Sequence, residues 1–128
     1  MNKETKLTLD ELIRRKMQIM EAKKKRKSEK VYIDSLGGYI ILTEPTREIM
    51  ADITGMTDQN EANKYAIYNC VTEPSLKSPV LHEEYECAEP YDIVDKLFSY
   101  AEITQLSILL NELAGFDKGV EVIDEIKN

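Results

Sequence analysis

Apolar residues near the start of the chain fall at three- and four-residue spacing: Leu9, Leu12, Ile13, Met17 and Met20. That period stacks them on one face of an α-helix, because side chains three or four apart lie above one another along its surface. Thr8-Leu9-Asp10-Glu11 opens the stripe and reads as a capping box, in which the Thr8 hydroxyl and the Glu11 carboxylate each satisfy an otherwise unpaired helix N–H. The stripe is narrow. It runs into Lys23-Lys24-Lys25-Arg26-Lys27, whose charge suits the negative end of the helix dipole. From residue 30 the pattern changes to two β-branched and aromatic runs, Val31-Tyr32-Ile33 and Tyr39-Ile40-Ile41-Leu42-Thr43. Asp34-Ser35-Leu36-Gly37-Gly38 lies between them, and the whole predicts a β-hairpin whose turn takes its positive φ from the paired glycines. A lone hairpin is marginal in water, so this one is expected to dock on the helices.

Helical spacing then returns. Pro45 ends the second strand, Thr46 caps a short helix carrying Ile49, Met50 and Ile53, and Gly55 closes it. The next helix is expected to begin between Asp58 and Asn60, to run through Tyr65, Tyr68 and Val71, and to stop at Pro74. Ser78-Pro79 opens a short segment through Leu81 and Tyr85, and Pro90 opens another that ends at Phe98. Ser99-x-x-Glu102 is a second capping box, and Ile103, Leu106, Leu109, Leu110 and Leu113 form the strongest stripe of the chain, ended by Gly115. Beyond Phe116, Val120, Ile123 and Ile126 keep helical spacing in a short acidic segment.

The fold class is therefore mostly α with one β-hairpin, an α+β arrangement: a small multi-helix domain with an N-terminal helical arm. Residues 1–29 form the basic arm, 30–116 the hairpin and helical core, and 117–128 a flexible or weakly helical tail. At 128 residues, with 42% hydrophobic and 32% charged residues, the chain has the composition of a folded domain with one modest core. The net charge of −7 hides a split, since residues 1–30 carry 11 Lys and Arg against 5 Asp and Glu, and residues 31–128 carry 6 against 19. A basic arm beside an acidic body can dock on that body or on a neighbouring copy, and it leaves little attraction for polyanions. Nucleic acid is thus not an expected partner, and no aromatic is interleaved with the lysine run. No apolar run reaches the roughly 18 residues of a membrane span, and Met1 to Lys6 is polar with no apolar signal segment behind it, so a cytoplasmic protein is expected.

Candidate chemistry is sparse. His82 is the single histidine, and Leu81-His82-Glu83-Glu84 reads as the exposed face of a short helix, which leaves no visible partner for acid–base catalysis. Cys70, His82 and Cys87 lack the paired spacing of a structural zinc site, so both cysteines read as free thiols filling helix-packing positions. No glycine-rich phosphate loop occurs. No catalytic residue, cofactor or metal is assigned, and the chain is not expected to be an enzyme. Tyr65, Tyr68, Tyr85, Tyr91 and Tyr100 crowd the middle of the chain and are the candidate partner-binding residues, because tyrosine offers both area and a hydrogen bond at interfaces.

Several stretches carry a resemblance when taken together. They are the Leu7-Thr8-Leu9-Asp10-Glu11-Leu12 helix with its lysine tail, the Leu36-Gly37-Gly38 hairpin, and Tyr65-x-x-Tyr68-x-Cys70-Val71-x-x-Pro74-x-Leu76. Pro90-x-Asp92-Ile93-Val94-x-Lys96-Leu97-Phe98, Glu102-Ile103 and Leu113-Ala114-Gly115-Phe116 agree with them in order and spacing. Over residues 5–116 the chain is similar to the XkdN-like tail-assembly proteins of Bacillus prophages, found in PBSX-type and skin elements. The resemblance implies a chaperone that coats the tape-measure protein of a phage tail until tail-tube subunits replace it. Tape-measure protein is the implied partner, with tail-tube protein and a second copy of the chain as further ones. A small adaptor subunit retained in the finished tail is the alternative role. The chain departs from the family pattern between Glu86 and Glu89, where a glycine is expected and none occurs.

Overall fold

The computed structural model describes residues 4–116 and 118–123. Thr8 caps the first helix as its sequence dictates, its hydroxyl accepting from the Glu11 N–H at 3.2 Å. The Glu11 carboxylate instead pairs with Arg14, so only the threonine half of the capping box forms. Helix α1 (Leu9–Arg14) is separated by Arg15 from α2 (Lys16–Lys24), and neither helix has a buried residue.

Strands β1 (Ser28–Ile33) and β2 (Gly38–Thr43) form the hairpin, in the register Val31 to Ile40 and Tyr32 to Tyr39. One turn of 3-10 helix, Asp34–Leu36, joins them, and Gly37 at φ 66° makes the reversal. Gly38 is already part of the strand, so one glycine of the pair supplies the positive φ. Alternation sends Ile33, Ile40 and Leu42 into the core while Tyr32 and Tyr39 face outward, with the Lys30 ammonium 5.1 Å from the Tyr39 ring centre.

Helix α3 (Arg47–Thr54) is capped by Thr46, and α4 (Gln59–Cys70) by Asp58, whose carboxylate accepts from the N–H groups of Asn60 and Glu61. Helix α4 stops at Cys70, short of the expected end at Pro74, because β3 (Val71–Glu73) pairs antiparallel with β2. The sheet order is β1-β2-β3. Three hydroxyls tie its strands together: Ser28 meets Thr43 at 2.9 Å and Thr43 meets Thr72 at 2.8 Å, which satisfies the buried Thr43. Ser78 caps α5 (Pro79–Glu84), and α6 (Asp92–Leu97) follows. Ser99 and Glu102 complete a full capping box on α7 (Tyr100–Ala114), which ends at Gly115 with φ 75°.

Leu42, Ile67, Leu76, Ile93, Val94 and Leu106 are essentially sealed from solvent, so the core joins the hairpin's inner face to α4, α6 and α7. Leu109 is half-buried at its edge. The body spans Arg26–Gly115, and a second unit comprises Met1–Lys25 with Phe116–Asn128. Within that second unit, residues 118–123 carry neither helix nor strand, which departs from the helical spacing of Val120 and Ile123. Ile126 lies outside the described residues.

Candidate partner-binding surface

Tyr65 and Tyr68 are three residues apart on α4 and therefore share a face. Tyr91, at the start of α6, meets both edge-on, with ring centres 5.7 Å from Tyr65 and 4.8 Å from Tyr68 and interplanar angles of 79° and 83°. Edge-to-face pairs of this kind are worth about 0.5–1.5 kcal/mol each beyond area burial. Tyr65 donates its hydroxyl hydrogen to Asp52 on α3, and that bond, aided by partial burial and the Asp52 charge, pushes its pKa up to about 12. Tyr68 is buried, which raises its own pKa. Its ring stacks on His82 at 6.1 Å, and the Lys77 ammonium lies 5.9 Å from the ring centre.

His82 is not the free surface histidine expected from Leu81-His82-Glu83-Glu84. It is half-buried, and its Nε2 lies 2.6 Å from the Leu76 carbonyl. A carbonyl oxygen only accepts, so Nε2 carries the hydrogen and the imidazole pins the loop before α5. Tyr85, the C-terminal cap of α5, and Tyr100, the first residue of α7, stand outside the tyrosine cluster. Of the five candidate tyrosines, three therefore come together, and Tyr68 is turned mostly inward.

A groove not foreseen from the sequence lies between the hairpin and α5. It measures about 630 Å³ and is walled by Leu36 and Ile40 of the hairpin, Leu76 of the following loop, Val80 and Tyr85 of α5, and Phe98 after α6. Glu84 is the one charged residue in its lining. Leu36, Val80 and Tyr85 are 46%, 68% and 43% exposed, an apolar rim open to solvent. Apolar concavities with few polar groups are the usual form of a binding site. The acidic side chains Glu83, Glu84, Glu86, Glu89 and Asp92 cluster in residues 81–92, where there is no Lys or Arg. Periodicity could not reveal the groove, because Val80 and Leu36 are apolar residues left outside the core rather than members of a buried stripe.

The reactive groups are enclosed or engaged. Cys70 is fully buried, and burial pushes its thiol up to about 11, so it stays protonated near neutrality. Cys87 is half-buried against the core, and both thiols are free. Among the described residues, no group of three or more His, Cys, Asp or Glu is placed to hold a metal ion. No helix among them is long and apolar enough to cross a membrane.

Residues 41–127 match the family model of the phage XkdN-like tail assembly chaperone proteins. The chain belongs to that family. No curated protein and no solved structure matches it. The XkdN-like match begins in β2 and takes in β3, α5, α6 and α7, and so all of the groove except Leu36 and Ile40. It runs to residue 127, past Phe116, where the resemblance read from the sequence ends, and it does not include residues 5–40, where that resemblance begins. The glycine missing between Glu86 and Glu89 has a structural counterpart: Glu86 sits at φ 53°, in the left-handed region that glycine adopts without strain.

Proposed function

We propose that this XkdN-like chain is a tail assembly chaperone that binds the tape-measure protein and keeps it soluble until tail-tube subunits take its place. A tape-measure chain is long and helical, and its apolar stripes aggregate when bare. A protein that covers them reversibly needs an apolar groove of modest affinity on a charged, soluble body. The observation that carries this reading is the groove between the hairpin and α5, with Leu36, Val80 and Tyr85 exposed at its rim and an acidic segment beside it.

Co-expression tests the proposal. The tape-measure protein of the same phage should be soluble and co-purify with this chain, and Val80→Glu, which puts a charge in the groove wall, should return it to the insoluble fraction. A tape-measure protein that is insoluble and unbound beside the wild-type chain overturns the reading. The adaptor alternative is separated by mass spectrometry of purified particles, in which a chaperone is absent and an adaptor is present.

A further inference from the structure

The sheet has two outer strands, β1 and β3, and they differ as edges. Strand β3 spans Val71–Glu73 and runs straight into Pro74, which has no N–H to offer, so that edge is blunted. Strand β1 is six residues long and pairs with β2 without a register shift. Its backbone groups alternate in direction. The Glu44 N–H donates to the Lys27 carbonyl at 2.9 Å, so Glu29, Val31 and Ile33 turn their backbone groups towards β2, and Ser28, Lys30 and Tyr32 turn theirs to the open edge. Ile41, which stands opposite Lys30, agrees: its carbonyl faces away from β1 and accepts from the Thr72 hydroxyl at 3.4 Å. Beside this edge, between β1 and α7, lies a cleft of about 230 Å³ whose lining includes Val31, Ile33, Asp34, Glu102 and Gln105. A row of unpaired N–H and C=O groups is a template for another strand.

We propose that a second copy of the chain occupies this edge, β1 pairing antiparallel with β1 and Val31 lying on the two-fold axis, so that one sheet runs through both copies. The side chains select that register. Backbone groups that face outward belong to even-numbered residues, so an antiparallel ladder must pair even with even. An axis at Ser28 sets Arg26 against Lys30, and an axis at Glu29 or Lys30 sets that residue against its own copy; like charges directly opposite are destabilising. An axis at Tyr32 carries the pairing into the 3-10 turn at Asp34. With Val31 on the axis, Lys30 of each copy exchanges backbone bonds with Tyr32 of the other, and its ammonium comes beside a ring that is 63% exposed. Lys27 of each copy then reaches the end of the other's strand, where Asp34 and Glu102 line the cleft. A strand with one register free of like-charge contacts, and with an acid at the end its lysine reaches, is matched to itself. The two-fold pairing uses each edge once, so it closes as a dimer instead of growing a filament.

Every residue in this pairing belongs to the body, Arg26–Gly115, and none lines the groove assigned above to the client. Either proposal can therefore fail while the other stands.

Sedimentation velocity of the full chain across a range of concentrations should show a reversible dimer. Lys30→Pro removes an N–H that points to the open edge, so it should weaken the dimer by roughly tenfold or more. Its melting temperature should fall less than that of Val31→Pro, which removes an N–H bonded to β2. Residues opposite one another in a pair without hydrogen bonds lie at a separation a disulfide can span, roughly 4.5 Å between Cα atoms. Val31→Cys should therefore be trapped as a disulfide dimer by mild oxidation, whereas Glu29→Cys, which faces Ile33 of the second copy, should not. A wild-type monomer at every concentration overturns the proposal. So does a dimer indifferent to Lys30→Pro, or a Val31→Cys chain that crosslinks no better than Glu29→Cys. Protection of the Lys30 and Tyr32 amides that arises only when tape-measure protein is added would assign the edge to a client strand and overturn it as well.

Discussion

The hydroxyl of Tyr65 and the carboxylate of Asp52 hold α4 against α3, and the bond needs the phenol's hydrogen. Ionisation is therefore deferred from 10.0 to about 12. Because the folded pKa lies above the unfolded one, the stability this bond contributes is complete below pH 10 and fades as pH climbs towards about 12. A phenolate absorbance titration should show a late-titrating fraction that includes Tyr65 and Tyr68, and Asp52→Asn should bring Tyr65 down; seven tyrosines titrating together in the wild type would contradict this. Glu86 offers a second test at this scale. Its side chain occupies a left-handed backbone position at φ 53°, so Glu86→Gly should raise stability by about 0.5–1 kcal/mol in urea melts, and a loss would contradict the strain.

Among the elements, α7 couples the sheet to the helices through a cap and a buried stripe. Ser99→Ala removes the hydroxyl that accepts from the Glu102 N–H and should cost about 1 kcal/mol in chemical denaturation. The Glu102 carboxylate is held below its ordinary 4.5 by the Ser35 hydroxyl first and the Ser99 N–H second. With a depressed folded pKa, its contribution is present above pH 4.5 and is lost as pH falls further, so Glu102→Gln should flatten the acid limb of a stability–pH curve. Leu106, sealed in the core, should cost about 2–5 kcal/mol when truncated to alanine. These features were legible in the sequence because a capping box and a three- and four-residue stripe are local signals. Strand β3 was not legible: Val71-Thr72-Glu73 is too short to show alternation, and Val71 falls in step with Tyr65 and Tyr68 on the preceding helix. The tyrosines were legible as a group, but the meeting of Tyr91 with Tyr65 and Tyr68 depends on how α6 packs on α4. The groove depends on the same tertiary packing, since its walls come from the hairpin, a loop and two short helices.

For the whole molecule, the division into a basic N-terminal and an acidic C-terminal part was visible from charge alone, and the structure adds an apolar groove within residues 36–98. The proposed function asks the chain to bind apolar helix without itself aggregating, and an apolar rim beside an acidic segment suits both demands. On the proposed function, the groove between the hairpin and α5 is the place where a helical client lies. Backbone hydrogen exchange of the full chain, with and without the tape-measure protein of the same phage, tests that placement. Slowed exchange concentrated at Leu36 and over residues 74–85 is the expected result, whereas a bound client that leaves those residues exchanging at their free rate would contradict it.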